Sequence, residues 1–192
     1  MRINKKLLNN FNTSLSRNFH HIYVKIILTI FMYNKDKNMN SKISRIISYK
    51  LKHYKLMLEA DPSLKSISTY LKNCDAYSLK INNQDIGVIV VMKTNPLTME
   101  IMNLSIDEHF HNKHYGTKLL KFVIDKFQNK CKFLEICTGS TSLEQLYLYQ
   151  KMGFRCTKVE RDFFNNKCLY PNEILENGLI LKDKIRLQMI NY

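Results

Sequence analysis

A short polar segment between an apolar strand and an amphipathic helix carries residues suited to binding an anion. Residues 107–115 include three histidines, a lysine and an asparagine, and Gly116 leads from them into the helix. The first N–H groups of a helix have no acceptor within it, and the helix dipole is positive at that end. Strand, polar turn, glycine and helix therefore predict a phosphate site, although an ordinary crossover connection shows the same pattern.

The histidines and cysteines do not form a pattern typical of metal or disulfide chemistry. His109, His111 and His114 lie close together, but the chain has no HExxH segment and no CxxC pair. The five cysteines lie in unrelated contexts. An odd number at irregular spacing predicts reduced thiols in a cytoplasmic protein and no metal site.

The elements on either side of the polar segment must position it. Residues 99–106 are rich in Met, Ile and Leu and predict a buried strand. After Gly116 the apolar residues recur at helical spacing, opposite a lysine-rich side. They are Leu119, Leu120, Val123, Ile124 and Phe127.

The remaining chain predicts an α+β fold with a mixed, mostly antiparallel sheet flanked by helices. Upstream, the patterns predict a strand at 43–51, a helix at 53–59, a helix with Asp61 as N-cap and Pro62 first, and a hairpin of strands 75–81 and 86–92 around the turn 82–84. Downstream, they predict a strand at 133–137, a helix at 143–152 ended by Gly153, a strand at 154–159, a loop at 165–177 and an alternating closing strand at 179–189 with one wet side.

Length, charge and the N-terminal segment define the domain organisation. The chain of 192 residues suits one domain, predicted at 39–192, and residues 1–38 hold seven Lys and Arg against one acid. We interpret residues 1–38 as a dispensable basic extension, with weak membrane contact as the alternative. Their apolar run, 22–33, is too short for a bilayer, which takes about 20 residues. The net charge of +14 would steer an anionic cofactor.

Two segments resemble motifs of the GNAT superfamily of N-acetyltransferases. Residues 111–120 resemble its pyrophosphate loop, Gln/Arg-x-x-Gly-x-Gly/Ala before a helix with paired leucines, with His111 for the Gln or Arg and His114 for the first Gly. Residues 148–154, LYQKMGF, resemble its LYxxxGF segment. The stretches LEICTGSTSLEQLYLYQKMGFRCTKVERDFF and ENGLILKDKIRL are similar in wording to an uncharacterised bacterial subgroup, so the resemblance covers roughly residues 50–190.

The resemblance implies a three-layer α/β arrangement in which two central strands splay into a V that binds acetyl-CoA. The implied cofactor-binding residues are Leu104, Ser105, Ile106, His111, Asn112, Lys113, His114, Tyr115, Gly116, Thr117 and Ser140, with Ser142 as an alternative to the last. Tyr149 matches the family tyrosine that acts as general acid, and Glu135 a strand glutamate that serves some members as base through water. Glu108 and His109 are alternative bases.

The function implied by the resemblance is acetyl transfer from acetyl-CoA to a primary amine of a small molecule or protein, by direct attack. Asp162, Phe163 and Glu176 are expected to line the acceptor site. The alternatives are a catalytically silent acyl-CoA-binding domain, suggested by His114, and a basic nucleic-acid-binding module. The lysines are scattered over every segment, so we expect no nucleic acid and no stable membrane insertion. Monomer and homodimer both stay open.

Overall fold

The computed structural model describes residues 41–191. The predicted extension at residues 1–38 and the predicted domain start at Met39 lie outside the described residues. The elements are β1 (Ser41–Arg45), α1 (Leu51–Ala60), α2 (Leu64–Leu71), β2 (Cys74–Ile81), β3 (Gln84–Asn95), β4 (Thr98–Ile106), α3 (Tyr115–Phe127), β5 (Phe133–Gly139), α4 (Leu143–Lys151), β6 (Arg155–Glu160), β7 (Leu175–Glu176), β8 (Leu179–Ile180) and β9 (Lys184–Ile190). Short 3-10 turns cover Glu108–Phe110 and Phe163–Asn165.

One seven-stranded sheet runs in the order β1-β2-β3-β4-β5-β9-β6, and β7 with β8 forms a separate hairpin. Neighbouring strands of the large sheet are antiparallel except β4 and β5, which run parallel. A parallel pair requires a crossover connection, which α3 provides. The sheet confirms the predicted α+β class with mixed, mostly antiparallel strands.

Helices α1 and α2 pack on one face of the sheet, which we call the α1–α2 face. Their buried residues form one cluster with Val88 and Val90 of β3. Helix α3 packs on the opposite face, where a side chain at Gly87 would collide with Ile106 and approach Leu119 of α3 to 3.2 Å. The close approach predicted for the backbone at Gly87 is therefore confirmed.

Strands β4 and β5 are paired only over their first halves. Their last opposed residues are Ile101 and Ile136. Relative to β3, strand β4 then carries one extra residue, Met102, and such a bulge bends the strand that contains it. Residues 102–106 and 137–139 therefore diverge into the predicted V-shaped opening, which we call the splay.

The first strand and the first helix differ from the prediction. Strand β1 ends at Arg45, and Leu51 starts α1 instead of ending the strand. Strand β1 lies at the sheet edge and pairs only with β2, whose first residue is Cys74. One further bond to β2 follows, from Ile46 N to Ala76 O at 2.8 Å, and the chain then bends at residues 47 and 48 and leaves the sheet before α1 begins.

The N-cap of α2 is Ser63, and the prediction of Asp61 was wrong. The Ser63 hydroxyl accepts a hydrogen bond from Ser66 N at 3.1 Å, and Pro62 precedes the cap. Asp61 instead ends α1, where its carboxylate accepts from Ser63 N at 3.2 Å. Ser63 also donates to Leu169 O at 2.6 Å, a distant contact that local sequence could not reveal.

The predicted closing strand at 179–189 is two strands. Strand β8 pairs in the small hairpin, whereas β9 enters the large sheet between β5 and β6. Between them Leu181 packs against Gly139, and Asp183 O accepts from Ser140 N at 2.9 Å. Because β9 is an internal strand, its alternating polar side is enclosed by neighbours and is not the wet side that we predicted.

Candidate active site

The polar segment before α3 adopts the conformation expected of a phosphate-binding loop. Asn112 and His114 have left-handed backbone angles, with φ of 59° and 61°. The hydrogen-bond ladder of the helix starts at Lys118, whose backbone N–H donates to His114 O at 3.0 Å. The amides of Gly116 and Thr117 precede this ladder, so they point out of the helix towards any bound anion.

The His111 side chain fixes this loop to the end of β4. Its Nε2 lies 2.6 Å from Ile106 O. A carbonyl only accepts hydrogen bonds, so Nε2 carries the proton and donates. The histidine that replaces the family's Gln or Arg is therefore a loop anchor.

The neighbouring His109 is paired with an acid instead. Its Nδ1 lies 2.9 Å from Asp107 Oδ1. The hydrogen bond to His109 lowers the pKa of Asp107, and the same bond raises the pKa of His109. Within residues 41–191 no group of three or more His, Cys, Asp or Glu side chains is arranged to hold a metal ion.

Strand β4 directs backbone groups into the splay at alternate residues. Asp107 N donates to Ile86 O at 2.8 Å, which makes this pair hydrogen-bonded across the antiparallel ladder. By alternation, Ser105 also bonds to β3, whereas Leu104 and Ile106 turn their N–H and C=O groups towards the splay. Of the three predicted strand residues, Leu104 and Ile106 thus direct backbone groups into the splay, whereas the backbone of Ser105 bonds to β3.

Tyr149 lies in α4 and is 5% exposed. Its ring packs against Phe154, with centroids 6.4 Å apart. Burial, followed by the charge of nearby Cys137, raises the pKa of Tyr149 above its ordinary value. Cys137 directly follows the last opposed residue of β5, Ile136, so the phenol lies near the apex of the splay and is protonated at neutral pH.

Three carboxylates from three strands converge on Arg186 of β9 on the α1–α2 face. Arg186 Nη1 lies 2.7 Å from Glu135 and 3.1 Å from Glu100, and Nη2 lies 3.1 Å from Glu160. Lys184 reaches Glu160 at 3.1 Å. Burial alone would raise the pKa of Glu160, but the hydrogen bonds and charges of Lys184 and Arg186 outweigh it and lower that pKa.

The predicted base, Glu135, has both carboxylate oxygens occupied in this network. Oε2 accepts from Arg186 and Oε1 accepts from Gln188 Nε2 at 2.8 Å. Glu100 is held less firmly, since its Oε1 accepts only from the Cys137 thiol at 3.4 Å. Burial and the charge of Glu100 raise the pKa of that thiol to about 12.

The predicted acceptor residues occupy the loop between β6 and β9. Asp162 has a left-handed backbone, with φ of 55°, and accepts from Asn165 Nδ2 at 2.6 Å. Phe163 lies in an aromatic cluster, and Lys184 Nζ lies 3.6 Å from its ring centroid. This loop meets the first helices, because Tyr170 Oη lies 3.4 Å from Ser66 Oγ of α2.

Glu176 is placed differently from the other two acceptor candidates. Its Oε2 accepts from Thr141 Oγ1 at 2.8 Å and from Ser142 Oγ at 2.7 Å. The carboxylate thus clamps the β7–β8 hairpin to the turn before α4. Ser140 lies in the same turn, which keeps it at the end of β5 beside the splay.

Sequence reasoning missed Glu100, Arg186, Gln188 and Asn103 as residues of this region. Arg186 and Gln188 lie on the polar side of the predicted closing strand, and no local signal tells whether such a strand is internal or at the edge of the sheet. Asn103 Nδ2 donates to Met57 O of α1 at 3.0 Å, a contact over 46 positions that no local pattern encodes.

Comparisons with known proteins agree with this geometry. Residues 72–156 match the family model described as acetyltransferase (GNAT) domain. The chain is 37% identical over 137 residues, 71% of this chain and 87% of the other, to a Bacillus subtilis protein named uncharacterized N-acetyltransferase YvbK. This chain belongs to the GNAT family.

Solved structures extend the likeness to cofactor-bound proteins. A GNAT family acetyltransferase from Elizabethkingia anophelis with acetyl-CoA bound is 42% identical, with a TM-score of 0.74 over 79% of this chain and 98% of that one. An IAA acetyltransferase from Bacillus cereus is 40% identical, with a TM-score of 0.73 over 79% and 99%. The GNAT chain described here is an N-acetyltransferase with acetyl-CoA as its acyl donor. None of the helices within residues 41–191 is long and apolar enough to cross a membrane.

Proposed function

We propose that this GNAT enzyme transfers the acetyl group to a primary amine by direct attack, with Tyr149 as general acid. The observation that carries the proposal is the buried phenol near the apex of the splay. An acyl donor extended along β4 brings its thioester to this apex. There a phenol whose pKa is raised by burial stays protonated at neutral pH and can supply the proton that the leaving sulfur needs.

The donor is bound, in this proposal, by the loop and the strand together. The amides of residues 112–117 bind the pyrophosphate, with Lys113 adding charge. Leu104 and Ile106 pair with the pantetheine arm as an added strand would. Ser140, at the end of β5, faces the other side of the arm.

The proposed step moves two protons and exchanges one bond. The amine nitrogen attacks the thioester carbon, an N–C bond forms, and the C–S bond breaks. The thiolate takes the proton of Tyr149, and the amine proton leaves through water to Glu135. Since both oxygens of Glu135 already accept hydrogen bonds, it acts through water and not by direct contact.

A covalent route through Cys137 is disfavoured by its protonation state. The nucleophile would be the thiolate, and burial, with the charge of Glu100, raises the pKa of this thiol to about 12, which keeps it protonated at neutral pH. This supports direct attack by the amine over an acetyl-cysteine intermediate.

Charge near the site favours a cationic acceptor. Glu100, Glu135 and Glu160 face two cations, Arg186 and Lys184, which leaves one excess negative charge on the α1–α2 face of a protein with net charge +14. Asp162 and Phe163 are proposed to contact the remainder of the acceptor at the adjoining loop. Glu176 is proposed to shape that wall through its clamp on the turn before α4.

The test combines binding and turnover with the full-length protein. Calorimetry measures acetyl-CoA and CoA binding, and CoA release is followed with tyramine, putrescine and a tripeptide with a free amino terminus. The Tyr149→Phe variant should lose about 100-fold or more in kcat with an unchanged acetyl-CoA affinity, and Glu135→Gln should lose activity chiefly at lower pH. Cofactor binding without turnover of any amine would instead support a silent acyl-CoA-binding domain.

A further inference from the structure

The outer side of α4 exposes large apolar side chains to solvent. Leu143 and Tyr147, one helical turn apart, are 63% and 66% exposed. Tyr149 is buried on the opposite side of the helix, and Leu148 faces the start of α3 at Gly116. Single exposed apolar residues are common, but a group of them indicates a surface that another molecule covers.

The β7–β8 hairpin extends this apolar surface. Glu176 Oε2 accepts hydrogen bonds from the hydroxyls of Thr141 and Ser142, directly before α4, so the hairpin lies beside the first turn of the helix. Three further large apolar side chains of the hairpin are 45% to 72% exposed: Leu175, Leu179 and Ile180. We call the outer side of α4 and this hairpin the α4–hairpin patch.

The charges on the outer side of α4 are complementary to themselves. Glu144 comes three residues before Tyr147 and Lys151 four residues after it, and Lys151 Nζ lies 5.6 Å from the Tyr147 ring centroid. At 100° per residue, Glu144 and Lys151 lie on the same flank of Tyr147, one towards each end of the helix. Two such helices packed antiparallel about a two-fold axis at Tyr147 place each Glu144 level with the Lys151 of the other copy. A parallel arrangement places Glu144 opposite Leu143 and gains no charge pair.

We propose that the α4–hairpin patch is the interface of a homodimer in which the two α4 helices pack antiparallel. An interface between identical copies requires a surface complementary to itself, and Glu144 and Lys151 provide that property. The patch is small beside the roughly 800 Å² that each partner buries in a stable complex, so we expect a dissociation constant of about 1 to 100 µM. Association is measured without substrate, so this inference does not depend on the proposed function.

The same two charges also stabilise the helix by itself. An acid in the first turn and a base in the last turn complement the helix dipole. The two roles predict different results when the charges are exchanged. For the dipole, the effects of Glu144→Lys and Lys151→Glu add. Across the interface, each single variant creates two like-charge pairs, whereas the double variant restores two pairs of opposite charge.

Sedimentation equilibrium of the full-length protein measures the association between about 1 and 500 µM. At about 0.15 M salt the Debye length of about 8 Å limits repulsion between two copies of net charge +14. Each single variant should raise the dissociation constant about 5- to 30-fold, and the double variant should return it to within about threefold of the wild type. Tyr147→Glu places two carboxylates at the two-fold axis and should leave the protein monomeric.

Two exposed charges of α3 provide matched controls. Asp125→Lys and Lys121→Glu make the same changes of charge away from the patch, and the dissociation constant should stay within about twofold of the wild type. Urea unfolding at about 1 µM, where the protein is monomeric, shows that each variant folds. The double variant should have the lowest urea midpoint of the three α4 charge variants and still dimerise, a combination that the helix dipole alone cannot produce.

Three results would overturn the inference. A wild type that stays monomeric at about 500 µM would leave the patch to a partner of different sequence. A dimer whose dissociation constant no α4 variant changes would have its interface elsewhere. A double variant that associates more weakly than both single variants would mean that Glu144 and Lys151 do not meet across a two-fold axis.

Discussion

Substitution of Gly116 by alanine separates stability from cofactor binding. Gly116 is the second residue of α3, and a Cβ built there would lie 3.8 Å from Leu148 and 3.9 Å from Ile106. Both distances are ordinary van der Waals contacts, so the side chain fits without strain. Glycine in a helix is less stable than alanine by about 0.5 to 1 kcal/mol. We therefore expect the free energy of unfolding to rise by about that amount.

The same methyl group should weaken acetyl-CoA binding. It would stand at the helix end where a phosphate must approach the amides of Gly116 and Thr117. Loss of one hydrogen bond to a charged group is worth about 1.5 to 3 kcal/mol, which is about a 10- to 150-fold higher Kd. A more stable protein that binds its cofactor less well is a combination that misfolding cannot produce.

Urea unfolding and calorimetry with acetyl-CoA measure the two effects. S-acetylpantetheine provides the control donor, because it has the thioester and arm but no pyrophosphate. Its kcat/KM should not change in Gly116→Ala. An acetyl-CoA affinity equal to that of the wild type would refute the assignment of this loop as the pyrophosphate site.

Three further predictions concern charge and strain. Burial alone would raise the pKa of Asp85, but the contacts of its carboxylate with Lys52, Ser78 and Lys80 outweigh burial and lower that pKa. The carboxylate therefore stabilises the fold fully above the ordinary carboxyl pKa. This stabilisation is lost as the pH falls through the lowered pKa of Asp85. Asp85→Asn should therefore reduce the free energy of unfolding by about 2 kcal/mol at pH 7, a difference that disappears on acidification below about pH 4 in urea titrations; a deficit independent of pH would contradict this. Arg186→Met leaves three carboxylates without their shared cation and should reduce the free energy of unfolding by about 2 to 4 kcal/mol at pH 7.5. The deficit should be smaller at pH 5. Equal deficits at the two pH values would show that repulsion among the carboxylates is not the cause. His114→Gly removes a left-handed non-glycine residue and should stabilise the protein by up to about 1 kcal/mol with acetyl-CoA affinity within about threefold; a large gain in affinity would show instead that the imidazole obstructs the loop.

Local patterns were sufficient where the structure depends on neighbours in the chain. The turn at Asn82 and Asn83 has φ of 49° and 65°, which suits asparagine and joins β2 to β3 in two residues. The helix before Gly153 ends where predicted, and that glycine has φ of 97°. The strand, loop and helix around Gly116 were likewise predicted, because amphipathic spacing and a phosphate loop are features of consecutive residues.

Only the tertiary structure decided how the polar side chains of the last strand are used. Lys184, Arg186 and Gln188 alternate in the sequence as they would on an exposed strand. Insertion of β9 between β5 and β6 brings Arg186 to Glu135, a contact over 51 positions. The sequence alone identified the family, and it predicted the cofactor loop and the tyrosine, since each is a local motif. Strand order and the carboxylate network required the fold, because pairing between distant strands is selected by the packing of the whole sheet.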